Sequence, residues 1–174
     1  MVYKKFQDTM DVLKQYLPLC WLKNNPLMLP RSVDFFKQNL LFYFVVEYFM
    51  QTNMTDDPIE SFVEVGIATL LSLIFIGVML FLNKTLYAYV QVATSVMFCS
   101  NIVALLLVPV LTWLTVSEEP LSYYFFALLL FWEYALVAYI IKQVLSVNIL
   151  ASLVLSLFYF IATYFGAFAL GQVL

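Results

Sequence analysis

The stretch FFALLLFWEYALVAYIIK, residues 125–142, is apolar throughout except for Glu133 near its middle and Lys142 at its end. A helix of this length is about 27 Å long, close to the thickness of the hydrocarbon core of a bilayer. A second stretch, LLSLIFIGVMLFL at residues 70–82, is continuously apolar. It lacks the alternation of a transmembrane β-strand. Both stretches therefore predict α-helices that cross a membrane.

The composition extends this prediction to the whole chain. Of its 174 residues, 64% are hydrophobic and only 11% are charged, whereas a soluble domain has about 45–50% apolar and about 25% charged residues. We therefore expect an all-α polytopic membrane protein with five transmembrane helices. The predicted spans cover about residues 35–51, 62–82, 86–108, 123–141 and 148–170. We assign residues 34–174 to this transmembrane domain.

The basic residues indicate the orientation of these spans. With five spans, all eight Lys and Arg residues fall on one side of the membrane, and four or six spans would separate them. Because basic residues concentrate on the cytoplasmic side, we expect a cytoplasmic N-terminus and an outside C-terminus, in the cytoplasmic (inner) membrane of a bacterium. The eight are Lys4, Lys5, Lys14, Lys23, Arg31, Lys37, Lys84 and Lys142.

Residues 1–33 form a separate cytoplasmic segment in this scheme. Its first 17 residues predict an amphipathic interfacial helix, since apolar residues recur at steps of three and four and Pro18 ends the pattern. This apolar face is a predicted docking surface for the membrane interface, for the protein itself or for a partner helix. It consists of Tyr3, Phe6, Met10, Leu13 and Leu17.

Two prolines, Pro26 and Pro30, bracket the sequence that follows, CWLKNNPLMLPRSVDFFK. The residue before a proline is disfavoured in a helix, so we expect an extended connector into the first span. Trp21 and Arg31 are suited to the level of the lipid headgroups.

Glu133 is the main candidate for a functional residue. A charged residue at the bilayer centre costs about 2.5–3.5 kcal/mol by insertion measurements, so a partner or a function is expected. Polar residues on spans three and five predict an intramembrane polar seam around it. Those on span three are Gln91, Thr94, Ser95, Ser100 and Asn101, and those on span five are Ser152, Ser156, Tyr159 and Thr163.

Three interpretations of this seam remain open at the level of sequence. It can fix the packing of helices by hydrogen bonds, provide a path for protons or ions or a site for a polar headgroup, or contact another subunit. Glu47 and Glu64 are predicted near the outer ends of their spans, where they are able to reach the interface.

Several classes of site are disfavoured by what the sequence lacks. There is no histidine, and the four glycines form no phosphate-binding loop. No hydrolase motif and no basic nucleic-acid-binding patch is present, so we expect no enzyme activity, cofactor, metal site or nucleic-acid partner. Cys20 precedes the first span and Cys99 lies within the third, so we expect two small apolar residues and no disulfide.

The order of these parts, with the proline-bracketed NNPLMLPRSVDFF at residues 24–36 and five spans, resembles the Ypt-interacting-protein (YIP) family of small five-span membrane proteins. This resemblance implies a non-enzymatic protein that organises membrane domains or partners. Its expected partners are membrane lipids and other membrane proteins or further copies of the chain.

These observations give a first functional hypothesis, a scaffold or subunit of a membrane complex. The first alternative is a small transporter or channel component that moves protons, ions or a lipid-like substrate, with Glu133 as its titrating group. The second alternative is an assembly factor for a larger membrane complex.

Overall fold

A computed structural model describes the backbone of residues 2–55, 57–117 and 119–172, and within those ranges the side chains from residue 9 onward. This part of the chain is all-α. Its helices are α1 (Val2–Tyr16), α2 (Val33–Thr52), α3 (Pro58–Leu82), α4 (Tyr89–Ser117), α5 (Pro120–Leu145), α6 (Ile149–Phe160) and α7 (Gly166–Gly171). A single π-helical turn, Ile161–Phe165, joins α6 to α7 so that they form one continuous rod.

Four helices in the described part of the chain are long and apolar enough to cross a membrane. These helices confirm the all-α class and are consistent with an integral membrane protein. Helix α2 has 20 residues but is less apolar, since it carries Asp34, Lys37 and Glu47. The four candidates are Pro58–Leu82, Leu86–Ser117, Pro120–Leu145 and Ile149–Gly171.

Local sequence explains where these helices begin. Ser32, Asp57 and Asn148 each cap a helix by accepting a hydrogen bond from a backbone N–H two or three residues further on. Pro58 and Pro120 occupy the first helical position, where a missing N–H costs nothing.

Helix α4 extends further than the predicted third span. It passes through Pro109 and ends at Ser117, whereas the predicted span ended near residue 108. Proline removes a single backbone hydrogen bond, and a membrane-spanning helix tolerates that loss.

Helix α4 also forms the centre of the bundle. Every residue from 92 to 101 is buried, and α4 packs against α5 on one side and α2 on the other. Helix α3 packs against α2 and against the π-helical turn and α7. The interior of the protein therefore lies around the middle of α4.

The connector between α1 and α2 is folded rather than extended. Residues Leu17–Trp21 and Pro26–Met28 form 3₁₀ turns, and Leu19, Cys20 and Leu29 are buried. The prediction of an extended connector was therefore wrong for much of this segment. The prolines disfavour an α-helix but permit short turns, which let apolar side chains pack on the bundle.

Side chains from the bundle satisfy the carbonyl groups of this connector. Trp132 Nε1 donates to the Cys20 carbonyl at 3.2 Å, and Tyr139 donates to the Asn24 carbonyl at 3.0 Å. Gln91 Nε2 donates to a third carbonyl, that of Leu29, at 3.3 Å. Irregular backbone packed against apolar helices requires such partners, so α4 and α5 hold the connector in place.

The predicted docking surface lies partly on the protein itself. Leu13 and Leu17 pack against the core, while Met10 remains 38% exposed. The side chains of Tyr3 and Phe6 lie outside the described residues. Helix α1 therefore uses its C-terminal half for intramolecular packing.

Candidate functional site

Glu133 lies in the interior of the bundle on α5, with 7% of its surface exposed. Its Oε1 accepts a hydrogen bond from Ser100 Oγ on α4 at 2.7 Å. A buried carboxyl group is costly unless it is paired or hydrogen-bonded. Ser100 supplies one such bond, so the site is built by the packing of α4 against α5.

A cavity of about 120 Å³ adjoins Glu133 between α2, α4, α5 and the π-helical turn. Glu47 on α2 lines the same cavity, and the two carboxyl groups are close enough to interact electrostatically. The volume is sufficient for several water molecules. The remaining lining residues are Met50, Gln51, Met54, Ser100, Ala104, Leu107, Leu111, Phe126, Leu130 and Tyr164.

A neighbouring cavity of about 200 Å³ adds a third carboxylate, Glu64 on α3. Gln51 and Tyr164 line both cavities. Gln51 Nε2 donates to Glu64 Oε2 at 2.5 Å, and Glu64 is 7% exposed. Carboxylates from three helices therefore follow one another through the interior, and a glutamine and a tyrosine lie between them.

This acidic series continues to one end of the bundle. Glu60 lies one helical turn before Glu64 on α3, hence on the same face, and accepts a hydrogen bond from Gln172 Nε2 at 3.2 Å. The α2–α3 turn at this end carries Asp57, which is exposed. Carboxylates therefore extend from the middle of α5 to the end of the bundle at which α2 joins α3.

The π-helical turn determines where Tyr164 lies. A π-turn inserts one additional residue into a helix and is often found at functional sites. Tyr164 falls within this turn, lines both cavities and lies beside the Tyr43 side chain of α2. The turn therefore places Tyr164, which is 41% exposed, beside both cavities.

The other predicted seam residues of α4 bond elsewhere. Thr94 and Ser95 donate to carbonyls one turn earlier on their own helix, at 2.5 and 2.7 Å. Asn101 Nδ2 donates to the backbone carbonyl of Asn39 on α2 at 3.0 Å. Gln91 bonds to the connector, as described above. Of the predicted residues on α4, Ser100 is the one brought to Glu133.

The predicted stripe on the last span mainly fixes helix packing. Ser156 donates to the Tyr134 carbonyl of α5 at 3.3 Å, and the Tyr159 hydroxyl bonds Ser72 of α3 at 2.6 Å. Ser152 and Thr163 donate to carbonyls of their own helix. These hydrogen bonds join α6 to α5 and α3 but do not extend to Glu133.

Sequence reasoning did not assign Glu47, Gln51 and Glu64 to the site. The signal was present, since two of them are carboxylates within apolar helices. Their positions near helix ends were instead explained by contact with the interface. Whether these side chains face the interior or the interface depends on how α2 and α3 are rotated about their axes. The sequence pattern does not specify this rotation.

No three His, Cys, Asp or Glu side chains among the described residues converge in the manner of a metal site. The carboxylates are spread along the interior rather than gathered around one point. This arrangement suits successive proton transfers better than the coordination of a divalent ion, which takes several oxygen ligands at once.

No family model, curated protein or solved structure matches this chain. The resemblance to the YIP family therefore stays a prediction from the order of its parts.

Proposed function

We propose that this protein is a small membrane transporter or channel component that moves protons, with Glu133 and Glu47 as its titrating groups. The observation that carries the proposal is the cavity that both carboxyl groups line. Intramembrane ionisable groups that face a bundle interior mark proton and ion pathways in many membrane proteins.

The chemistry of the cavity supports a proton as the transported species. Two carboxylates that line one cavity in a medium of low dielectric repel each other, and protonation of one of them removes this cost. A proton held by this pair passes through cavity water and the Tyr164 hydroxyl towards Glu64. Glu60 and Asp57 then exchange it with solvent at the end of the bundle.

The size of the cavity argues against a lipid-like substrate at this position. Sites for small organic ligands usually have about 300–1,000 Å³, whereas the space between Glu47 and Glu133 has about 120 Å³. Water and protons fit this volume.

The proposal includes five spans with the N-terminus in the bacterial cytoplasm. Helix α2 supports this number, since its 20 residues give about 30 Å of helix and it packs between α3 and α4. All eight basic residues then lie on the cytoplasmic side. The acidic series extends from the middle of the membrane to its outer face.

Reconstitution into liposomes tests this function. With an imposed membrane potential and a pH-sensitive dye inside, we expect proton flux from the wild type and a loss of at least ten-fold in Glu133→Gln and Glu47→Gln. Glutamine preserves size and hydrogen bonding but does not titrate.

Glu119→Gln is the matched control, because Glu119 is exposed at the start of α5. It should leave proton flux unchanged. Equal flux through the wild type and both cavity variants would contradict the proposal, provided that all are folded.

A scaffold or complex subunit is the second candidate, and the partly exposed α1 favours it. Met10 is exposed on a face whose other described residues pack on the core, which leaves room for a partner helix. Mild-detergent purification should then recover a stoichiometric partner that Met10→Lys loses. If the recovered partner is a known assembly intermediate of a larger complex, the result would instead favour the role of an assembly factor.

A further inference from the structure

The two cysteines of the chain meet in the folded protein. Cys20 lies in the 3₁₀ turn Leu17–Trp21, and Cys99 lies in the middle of α4. Their sulfur atoms are 4.0 Å apart, and the two residues are 0% and 1% exposed. Both cysteines are free and buried, as expected of small apolar residues, and folding of the connector also places their thiols in contact.

The turn that carries Cys20 is held against α4 and α5. The Cys20 carbonyl accepts the indole N–H of Trp132 from α5 at 3.2 Å. Leu22 closes the turn in the left-handed region at φ 56° and donates to the Leu19 carbonyl. The Tyr16 ring packs on Phe98, the neighbour of Cys99, with ring centroids 5.9 Å apart. The sulfur contact is therefore supported on several sides.

We propose that Cys20 and Cys99 are a redox-active dithiol, which oxidises to an intramolecular disulfide that tethers residues 17–31 to α4. A disulfide requires its sulfur atoms about 2.05 Å apart. They must therefore approach each other by about 2 Å, which side-chain rotation and a small shift of the turn can provide.

The oxidant in this proposal is hydrogen peroxide, a small neutral molecule. The Cys20 thiol loses its proton, the thiolate attacks one peroxide oxygen, and the O–O bond breaks. The hydroxide that leaves takes up this proton to give water, and Cys20 becomes a sulfenic acid. The Cys99 sulfur then attacks the Cys20 sulfur, the S–S bond forms as the S–O bond breaks, and the departing hydroxide takes the Cys99 proton to give a second water. Both sulfurs are oxidised, and the two peroxide oxygens are reduced to water.

The thiol contact also favours Cys20 as the attacking group. The hydrogen bond between the two thiols lowers the pKa of Cys20, although burial opposes this effect. A lower pKa increases the fraction of thiolate, which is the reactive form.

The dithiol adjoins the proposed proton site. Cys20 contacts Cys99 and Trp132, which directly precede Ser100 and Glu133, the two partners of the buried hydrogen bond. Resting on the proposed function, we infer that the disulfide lowers proton flux, because it fixes the connector over α4 and α5.

Thiol counting on the purified full-length protein tests the disulfide directly. After treatment with hydrogen peroxide, removal of the oxidant and unfolding in SDS, we expect both cysteines to resist a maleimide reagent. The intact mass should fall by two hydrogen atoms, and dithiothreitol should restore both thiols. Peptide mapping should recover the Cys20 and Cys99 peptides joined together.

Cys20→Ser and Cys99→Ser are the matched controls, and each should leave the other cysteine unable to form this bond. Two reactive thiols after peroxide, or a disulfide between two chains, would overturn the proposal even if the serine variants fail to fold. A disulfide with unchanged proton flux would support the dithiol and contradict its link to the cavity. If no sample, including the wild type, shows proton flux, the proposed function fails. The thiol count still decides whether the disulfide forms.

Discussion

Ser100 on α4 donates a hydrogen bond to Glu133 on α5 at 2.7 Å, and this contact joins the central helix of the bundle to a buried carboxyl group. Both residues line the cavity that also contains Glu47. Helix packing and the candidate proton site therefore depend on the same pair of residues. Substitutions can separate the effect of this pair on stability from its effect on proton flux.

Ser100→Ala should destabilise the protein by about 1 kcal/mol, because interhelical hydrogen bonds in membrane proteins contribute about 0.6 kcal/mol on average and at most about 1.7. Ser95→Ala is the control on the same helix, since Ser95 donates to the carbonyl of Gln91 one turn earlier on α4. Unfolding in SDS measures both changes. An effect of Ser95→Ala as large as that of Ser100→Ala would contradict a specific role for the Ser100–Glu133 bond.

Glu64→Gln should lower proton flux several-fold while the protein stays folded. The amide oxygen can still accept the hydrogen bond from Gln51, which is 2.5 Å long in the native protein, but the side chain no longer exchanges a proton. Liposome flux and thermal stability should be measured together. Unchanged flux would place Glu64 outside the path and restrict the site to the Glu47–Glu133 cavity.

Gly171→Ala should disturb the Gln51–Glu64 contact. A Cβ at this position would approach Glu64 Cγ to 3.0 Å, closer than carbon atoms normally pack, so the Glu64 side chain must move. We expect overpacking to cost about 1–3 kcal/mol, offset by up to about 1 kcal/mol because alanine is the better helix former, together with reduced flux.

Gly66→Ala is the control for this prediction, because a Cβ there meets nothing within 4 Å. It should leave the structure unstrained and stabilise the helix by up to about 1 kcal/mol, since alanine is the better helix former. Destabilisation by Gly66→Ala and none by Gly171→Ala would contradict the packing described at the two positions.

The free energy of unfolding should fall as the pH rises from about 10 to about 12, because of the ionisation of Tyr16. Burial raises the pKa of this phenol from 10.0 to about 12, and a hydrogen bond with Thr94 partly offsets the rise. The unfolded state therefore ionises first. This contribution to stability is present below pH 10 and is lost between the two pKa values.

Tyr16→Phe removes this titration and also the hydrogen bond from Tyr16 to the Pro30 carbonyl, which is 3.0 Å long. The variant should be less stable at pH 8, by about 1 kcal/mol for the lost bond, and the difference from the wild type should narrow at high pH. Thermal melts across this pH range measure the difference. A gap that stays constant with pH would show that Tyr16 does not ionise on unfolding.

The sequence alone determined the class of protein and the approximate extents of four apolar helices. Apolar length is a local property, and a helix that satisfies its own backbone hydrogen bonds is one of the few structures stable in lipid. Local chemistry also determined helix starts, as Pro58 and Pro120 show. Glu133 was found for the same reason, since a carboxylate within an apolar run is visible without knowledge of the fold.

Only the tertiary structure decided which side chains meet. An apolar helix face is suited to contact with lipid and with other helices alike, so hydropathy does not specify how the helix is rotated about its axis. Packing against neighbouring helices specifies this rotation. This rotation turned Glu47 and Glu64 inward with Glu133 and selected Ser100 among the polar residues of α4. Folding of the connector brought Cys20 to Cys99, although 79 positions separate them in the chain, because its buried side chains pack against α4 and α5 and side chains of those helices bind its carbonyls.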